Sequence, residues 1–206
     1  MTTTSPEGRQ QSDVRRDQML AAAAELIAER GFERTRIADV AKRIETSPAL
    51  VMYYFATKDE LLTAALRHSE ASFYRAAEEL LDKPWSLDKR LSKLVAMTFD
   101  SKTKEEFAGA WGLWFELWCQ AFKHPKVAQD RRELDQQWRD LITRVVQTGI
   151  DEGELGKTDV EQFSVEWAAL LDGLSVQVAL DDPQVDVKRA KRIAMDFARR
   201  ALNTGG

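Results

Sequence analysis

A chain of 206 residues that is 44% apolar can hold one large domain or a small one joined to a larger, and it has ample material for a core. Its formal net charge is −4, yet the first 58 residues hold nine Lys/Arg against eight Asp/Glu, so the balance there is +1 and the remainder carries −5, a weak asymmetry in the direction a nucleic-acid binder needs. The single Cys119 excludes an internal disulfide, and His68 and His124 stand apart with no CxxC or HExxH spacing, which argues against a structural metal. No run of about 18 apolar residues and no signal-type apolar segment is found, so a soluble, cytoplasmic protein with no membrane partner and no cofactor is expected.

In chain order, Leu20, Ala23, Ala24 and Ile27 recur at helical spacing between Ser12 and about Arg30, and Gly31 followed by Phe32 reads as a C-cap glycine with its hydrophobic follower. A second helix begins at Thr35 or Arg36, carries Ile37, Val40 and Ala41 on one face, and must stop near Ile44. The next apolar burst, ALVMYYF, has the composition of a buried strand, but its flanks exclude one. Ser47 can accept a hydrogen bond from a first-turn amide, and Pro48 fits the position after it, where the missing N–H costs nothing. Thr57 then stands three residues before Glu60, the capping-box spacing. The segment therefore reads as a very short helix, a corner at Phe55-Ala56, and a longer helix from Lys58 to about Leu81.

Ser86 caps a fifth helix carrying Leu87, Leu91, Leu94 and Val95. Thr103 and Glu106 open a sixth, on which Trp111, Trp114, Phe115, Trp118 and Phe122 fall within an arc of about 100°. A long helix after Pro125 carries Leu134, Trp138, Leu141, Val145 and Val146 and breaks in GIDEGELGKTD. Thr158 and Glu161 repeat the capping box ahead of a helix from Phe163 to Leu180. Phe163, Trp167, Leu170, Leu171, Leu174 and Val178 line one face of it and Val165, Ala168, Ala169, Val176 and Ala179 much of the other, so it must be buried on both sides. The last helix, about Val187 to Leu202, is apolar along Val187, Ala190, Ala194, Phe197 and Ala201 and can cover only one surface. The chain is thus expected to be all-α, with about nine helices and no internal repeat.

The order helix, GFERTRIADVAKRI, turn, SPALVMYYFATKDELL resembles the N-terminal pattern of the TetR family of bacterial transcriptional regulators, matching at Gly31, Phe32, Thr35, Ile37, Val40, Ala41, Ser47, Tyr53, Tyr54, Phe55, Lys58, Leu61 and Leu62. GIDEGEL and AALLDGL look like that family's later helices, and the tryptophan-rich sixth helix is similar to its betaine-responsive subgroup. The resemblance implies residues 1–57 as an N-terminal arm with a helix-turn-helix DNA-binding domain and residues 58–206 as a helical effector-binding and dimerisation domain. It departs from the family's pattern at Glu45, where the turn usually carries glycine and a left-handed residue costs about 1–2 kcal/mol, and at Pro48-Ala49, where the recognition helix usually offers a polar residue and then a small one.

A helix-turn-helix lays its second helix in the major groove, with flanking groups on phosphates. Pro48, Ala49, Leu50 and Met52 bring no side-chain donor, so apolar contact with thymine methyl groups is their direct readout. Arg36 is the candidate for a base or a phosphate. Ser47, Tyr53, Tyr54 and Lys58 are phosphate candidates, although Tyr54, like Phe55, also suits a core. Arg9, Arg15 and Arg16 could reach the backbone or minor groove from the arm.

The resemblance further implies a ligand cavity among the C-terminal helices. Phe73, Trp111, Trp114, Phe115, Trp118, Trp138 and Trp167 are its candidate walls, with core packing the equal alternative for the arc. Ser72, Phe73 and Ala76 of the fourth helix should lie against that wall. Aromatic walls suit a flat apolar effector or a quaternary ammonium held by cation–π attraction. Trp167, Leu170, Gly173, Leu174, Ala194 and Phe197 are candidates for a homodimer interface. The function expected is a dimeric repressor released from a palindromic operator on double-stranded DNA by a small-molecule effector. The alternative is a helical dimeric protein-interaction or small-molecule-binding module without DNA affinity. Glu116, Glu166, Asp172 and His68 could form acid–base pairs, but no phosphate loop, nucleophile elbow or metal spacing accompanies them, so an enzyme is not expected.

Overall fold

The computed structural model describes residues 6–101 and 103–203. The side chains of Arg9, Ser72 and Glu106, on which three of these expectations fall, lie outside what it describes. Among the described residues there are nine helices and no strand: α1 (Pro6–Arg30), α2 (Ile37–Arg43), α3 (Pro48–Tyr54), α4 (Lys58–Leu81), α5 (Leu87–Phe99), α6 (Lys104–Ala121), α7 (Pro125–Asp151), α8 (Val160–Ala179) and α9 (Val187–Asn203). They gather into two compact units, Met1–Ala71 with Gly112–Arg131, and Ser72–Trp111 with Arg132–Gly206.

Helix ends follow local chemistry. Gly31 takes a left-handed φ of 83° and returns its N–H to Ile27 O at 2.8 Å, closing α1. Ser47 Oγ accepts the Leu50 N–H at 3.2 Å, with Pro48 as the first residue of α3. Thr57 Oγ1 accepts the Glu60 N–H at 3.0 Å, while the Glu60 carboxylate reaches one residue further back than a standard box, to the Ala56 N–H at 2.9 Å. Two boundaries differ from expectation. Helix α1 begins at Pro6, so Arg15 and Arg16 lie on a helix and not on a loose arm. The cap of α8 is Asp159, whose carboxylate accepts the Gln162 N–H at 3.0 Å; Thr158 turns its hydroxyl to Gly156 O instead. Adjacent residues compete for one cap, and here the aspartate takes it.

In the first unit, Met19, Leu20, Ala23 and Leu26 of α1 close on Val40 and Ala41 of α2, on Val51 and Phe55 beside α3, and on Leu61 and Ala65 of α4. The buried Thr35 hydroxyl is shared between Leu26 O at 3.2 Å and Gly31 O at 2.9 Å, which ties the α1 terminus to the start of α2. The α2–α3 corner turns through Glu45, at a φ of 52°, and the Thr46 N–H then donates to Ala41 O at 2.8 Å.

In the second unit, α8 and α5 both pack on α9, where Ala190, Ala194 and Ala198 allow close approach. Trp167 is at the centre of this core. Its exposure is 0%, its indole N–H donates to Ala194 O at 3.0 Å, and its ring stacks on Phe163 at 5.6 Å. The buried Arg90 guanidinium forks onto Glu152 and also donates to Lys83 O at 2.9 Å; this hydrogen-bonded pair holds the Glu152 carboxyl below its usual range. Glu154 accepts the Leu87 N–H at 2.8 Å, and at Gly149 an added Cβ would stand 2.9 Å from Leu87 Cδ2. That glycine sets how closely α5 and α7 approach.

This packing corrects part of the expected dimer and ligand sets. Trp167 and Ala194 are wholly enclosed and Leu174 is buried, so none of them offers surface to a partner chain, and Trp167 offers none to a ligand. The face of α8 left open runs through Val165, Ala169 and Gly173, with Glu166 and Gln177 exposed among them and Leu170 and Val176 half-buried, and the exposed Leu180 follows as the C-cap.

Candidate nucleic-acid interface and aromatic site

The short helix α3 exposes one edge. Ser47, Pro48, Ala49, Met52 and Tyr53 are open to solvent, Met52 at 58% and Tyr53 at 82%, whereas Leu50 and Tyr54 are half-buried against the α1–α3 core. An exposed methionine and tyrosine on a two-turn helix gain nothing for the subunit's own core. They form an amphipathic edge of thioether, methyl and phenol with no formal charge.

Around that edge the groups differ in freedom. Arg36 precedes α2 with its side chain exposed, while its N–H donates to the Asp39 carboxylate at 2.9 Å. The Tyr54 hydroxyl is 2.9 Å from Ser12 Oγ, a tie to α1, and its ring lies edge-on to Tyr53 at 5.5 Å. Lys58 donates to Glu33 O at 3.3 Å with its ammonium 4.1 Å from the Phe32 ring centroid. A phosphate would have to draw Lys58 from that seat. Arg43 is engaged by Glu25 and Glu29 at 3.0 and 2.9 Å, so its charge is already balanced. Arg16 lies 5.5 Å over Phe55.

The aromatic residues of α6 fall in two sets. Trp111 packs in the second unit, 6.4 Å from Phe107, and there Phe73 meets Trp138 at 5.6 Å and 60°. Trp114, Phe115 and Trp118 belong to the first unit: the two indoles are 6.2 Å apart at 46°, and Phe115 meets Trp118 at 5.7 Å and 67°. Phe122 does not join the arc, because α6 ends at Ala121 and leaves the ring 92% exposed in the following turn.

Sequence periodicity alone does not single out Glu70. It follows Leu62 and Leu66 on the same stripe of α4, both fully buried, and a carboxylate in the i+4 place of an apolar stripe was the available signal. Burial pushes its carboxyl up to about 6, against the opposing hydrogen bond from the Trp114 indole N–H.

Among the described residues no group of three or more metal-ligating side chains gathers, and no helix is long and apolar enough to cross a membrane.

Residues 19–65 match the family model described as bacterial regulatory proteins, tetR family, and residues 88–203 match the BetI-type transcriptional repressor, C-terminal, model. The HTH-type transcriptional regulator BetI of Burkholderia mallei (strain NCTC 10229) is 28% identical over 195 residues, covering 92% of this chain and 94% of the relative. Its namesake from Escherichia coli (strain K12) is 26% identical, with 93% and 95% covered. A protein from Saccharomonospora viridis, described as a transcriptional regulator and solved in complex with choline, superposes with a TM-score of 0.77 at 26% identity, covering 91% of this chain and 96% of that one.

Proposed function

The chain belongs to the TetR family of bacterial regulatory proteins, with the BetI-type repressor C-terminal domain, and we propose that it represses transcription as a homodimer on a palindromic operator that it releases on binding a quaternary ammonium compound. As a family member it is a ligand-responsive helix-turn-helix DNA-binding regulator. The observation that carries the finer reading is the exposed edge of α3, Pro48, Ala49, Met52 and Tyr53, held in place by the Ser47 cap and by a core beneath it.

In this reading residues 1–57 are the DNA-binding portion and 58–206 the effector-binding and dimerising portion, at work in the cytoplasm and without catalysis. Pro48, Ala49, Leu50 and Met52 meet thymine methyl groups, Arg36 reaches a base or a phosphate, and Ser47, Tyr53, Tyr54 and Lys58 face phosphates. Dimerisation uses the open face of α8, Val165 and Gly173, with the C-cap Leu180, 68% exposed, beside Leu170 and the half-buried Phe197 of α9. The effector is held by Trp114, Phe115 and Trp118. The choline complex of the Saccharomonospora viridis relative supports an ammonium, and indole faces bind quaternary ammonium ions well. Phe73, Trp111 and Trp138 are assigned to the core of their own unit.

Release follows from the rod-like α4, which starts at Lys58 and carries Glu70 beside Trp114. A ligand that shifts this helix moves Lys58 and the corner before it, and two recognition helices must keep a spacing of about 34–36 Å, or a multiple, to dock together. By linkage, DNA must weaken ligand binding by the same factor. The test is a gel shift with the DNA upstream of the protein's own coding region, with and without choline, tetramethylammonium or glycine betaine, alongside a solution mass measurement expected to give twice 23.4 kDa. A single-chain mass at micromolar concentration, or no retarded band at low salt, would overturn the reading. A retarded band indifferent to choline, tetramethylammonium and glycine betaine alike would overturn only the effector.

A further inference from the structure

Glu70 combines three features that a structural role leaves unexplained. It lies on the apolar stripe of α4 after Leu62 and Leu66, its carboxylate accepts the Trp114 indole N–H, and burial keeps it partly protonated up to about pH 6. A glutamine would accept the same N–H without any charge to desolvate, so an acid here works against folding. Costly ionisable groups of this kind concentrate at functional sites.

The geometry suits a cation. An indole N–H lies in the ring plane, so the carboxylate sits at the edge of Trp114 and not over its face. Trp118 stands 6.2 Å away at 46°, and Phe115 packs on Trp118 at 67°. Glu70, Trp114, Phe115 and Trp118 are all half-buried, and all belong to the same compact unit. A cation over the Trp114 face, within about 6 Å of its centroid, would feel the ring quadrupole and the nearby carboxylate together.

We infer that Glu70 supplies the counter-charge for the effector, so that the site formed with Trp114 selects a permanent cation over a neutral molecule of the same shape. The inference rests on the quaternary-ammonium reading and adds the residue that reads the charge. A quaternary nitrogen has no N–H to donate, so the carboxylate acts through its field, and a neutral acceptor cannot replace it.

Isothermal titration of the full-length protein with choline and with its uncharged carbon isostere, 3,3-dimethylbutan-1-ol, tests this. The wild type is expected to bind choline at least about tenfold more tightly than the alcohol, the difference one charge interaction makes. Glu70→Gln, which keeps the acceptor for Trp114 and removes the charge, should cut that preference at least about threefold, the cation–π share remaining, while Glu70→Asp keeps it whole. An undiminished preference in Glu70→Gln overturns the inference and leaves the ammonium reading standing, whereas equal affinities in the wild type overturn both. If the wild type binds none of choline, tetramethylammonium and glycine betaine, the ammonium reading fails and this inference with it.

Discussion

The cores of the two units are built on different principles. Around α1–α3 the core is the smaller of the two, with Ala22, Ala23, Ala41, Val40 and Val51 set between Met19, Leu20, Leu26 and Phe55, and the short helices are stitched by side-chain bonds to nearby backbone: Thr35 to two carbonyls, Ser47 and Thr57 to first-turn amides. In the unit that holds α5, α8 and α9 the core is large and aromatic, and its polar ties span tens of residues, as in Arg90 to Glu152 and Trp167 to Ala194. A DNA-reading module gains from the first arrangement because local ties fix the angle of a seven-residue helix that has little area to bury. The second arrangement suits a region whose stability comes from packing.

The largest effect that would sharpen this contrast is expected at Trp167. Trp167→Ala removes a fully buried indole and leaves the Ala194 carbonyl without its donor, and it should cost about 3–5 kcal/mol in urea denaturation. A loss below about 1 kcal/mol would mean that the aromatic core is not what holds that unit. Next comes Glu70→Gln. The folded carboxyl binds its proton more tightly than an unfolded one, so stability is full below the unfolded value near 4.5 and falls as pH rises to about 6. The variant should remove that fall and gain at most about 2 kcal/mol at pH 7.5, visible as a Tm that no longer declines relative to the wild type's between about pH 4.5 and 7.5. In the first unit, Thr35→Val keeps the shape but leaves the Leu26 and Gly31 carbonyls without the hydroxyl, at about 1–2 kcal/mol, with DNA affinity reduced because α2 loses its anchor. The smallest change is again a gain. Glu45→Gly relieves a left-handed φ of 52° and should stabilise by about 0.5–1 kcal/mol, read as a rise in the urea midpoint with the slope unchanged.

The same contrast explains what could be read in advance. Gly31, Ser47-Pro48 and Thr57…Glu60 act within four residues of themselves, so their roles were legible, as was the strained corner at Glu45. The seam between α8 and α9 was visible only as apolar periodicity. Periodicity says that a side chain is buried but not against what, so it suits Trp167 equally to a ligand wall, an interface or the subunit's interior, and the ring fills the interior. The Arg90–Glu152 pair spans 62 residues and has no local signature. Phe122 was counted in an arc that assumed the helix continued, and the helix ends one residue before it. Glu70 was overlooked because one charge on a long helix is usually a solvated one, and only the depth of the neighbouring leucines distinguishes it.

Gly149 has a consequence for how this protein can vary. A methyl group at that position would enter the space of Leu87, which itself lies beneath a cap shared by Ser86 and Glu154, so there is little room to yield. At Gly112 an added carbon meets nothing within 4 Å. A library of single alanine replacements should therefore separate two glycines that look alike in sequence. Position 112 would be populated freely among survivors, even favoured by about 1 kcal/mol of helix propensity, and position 149 would be swept clean unless residue 87 shrank in the same clone. The pair 87 and 149 would then drift together, so lineages that lose the glycine should be recognisable by a smaller side chain sixty-two positions upstream.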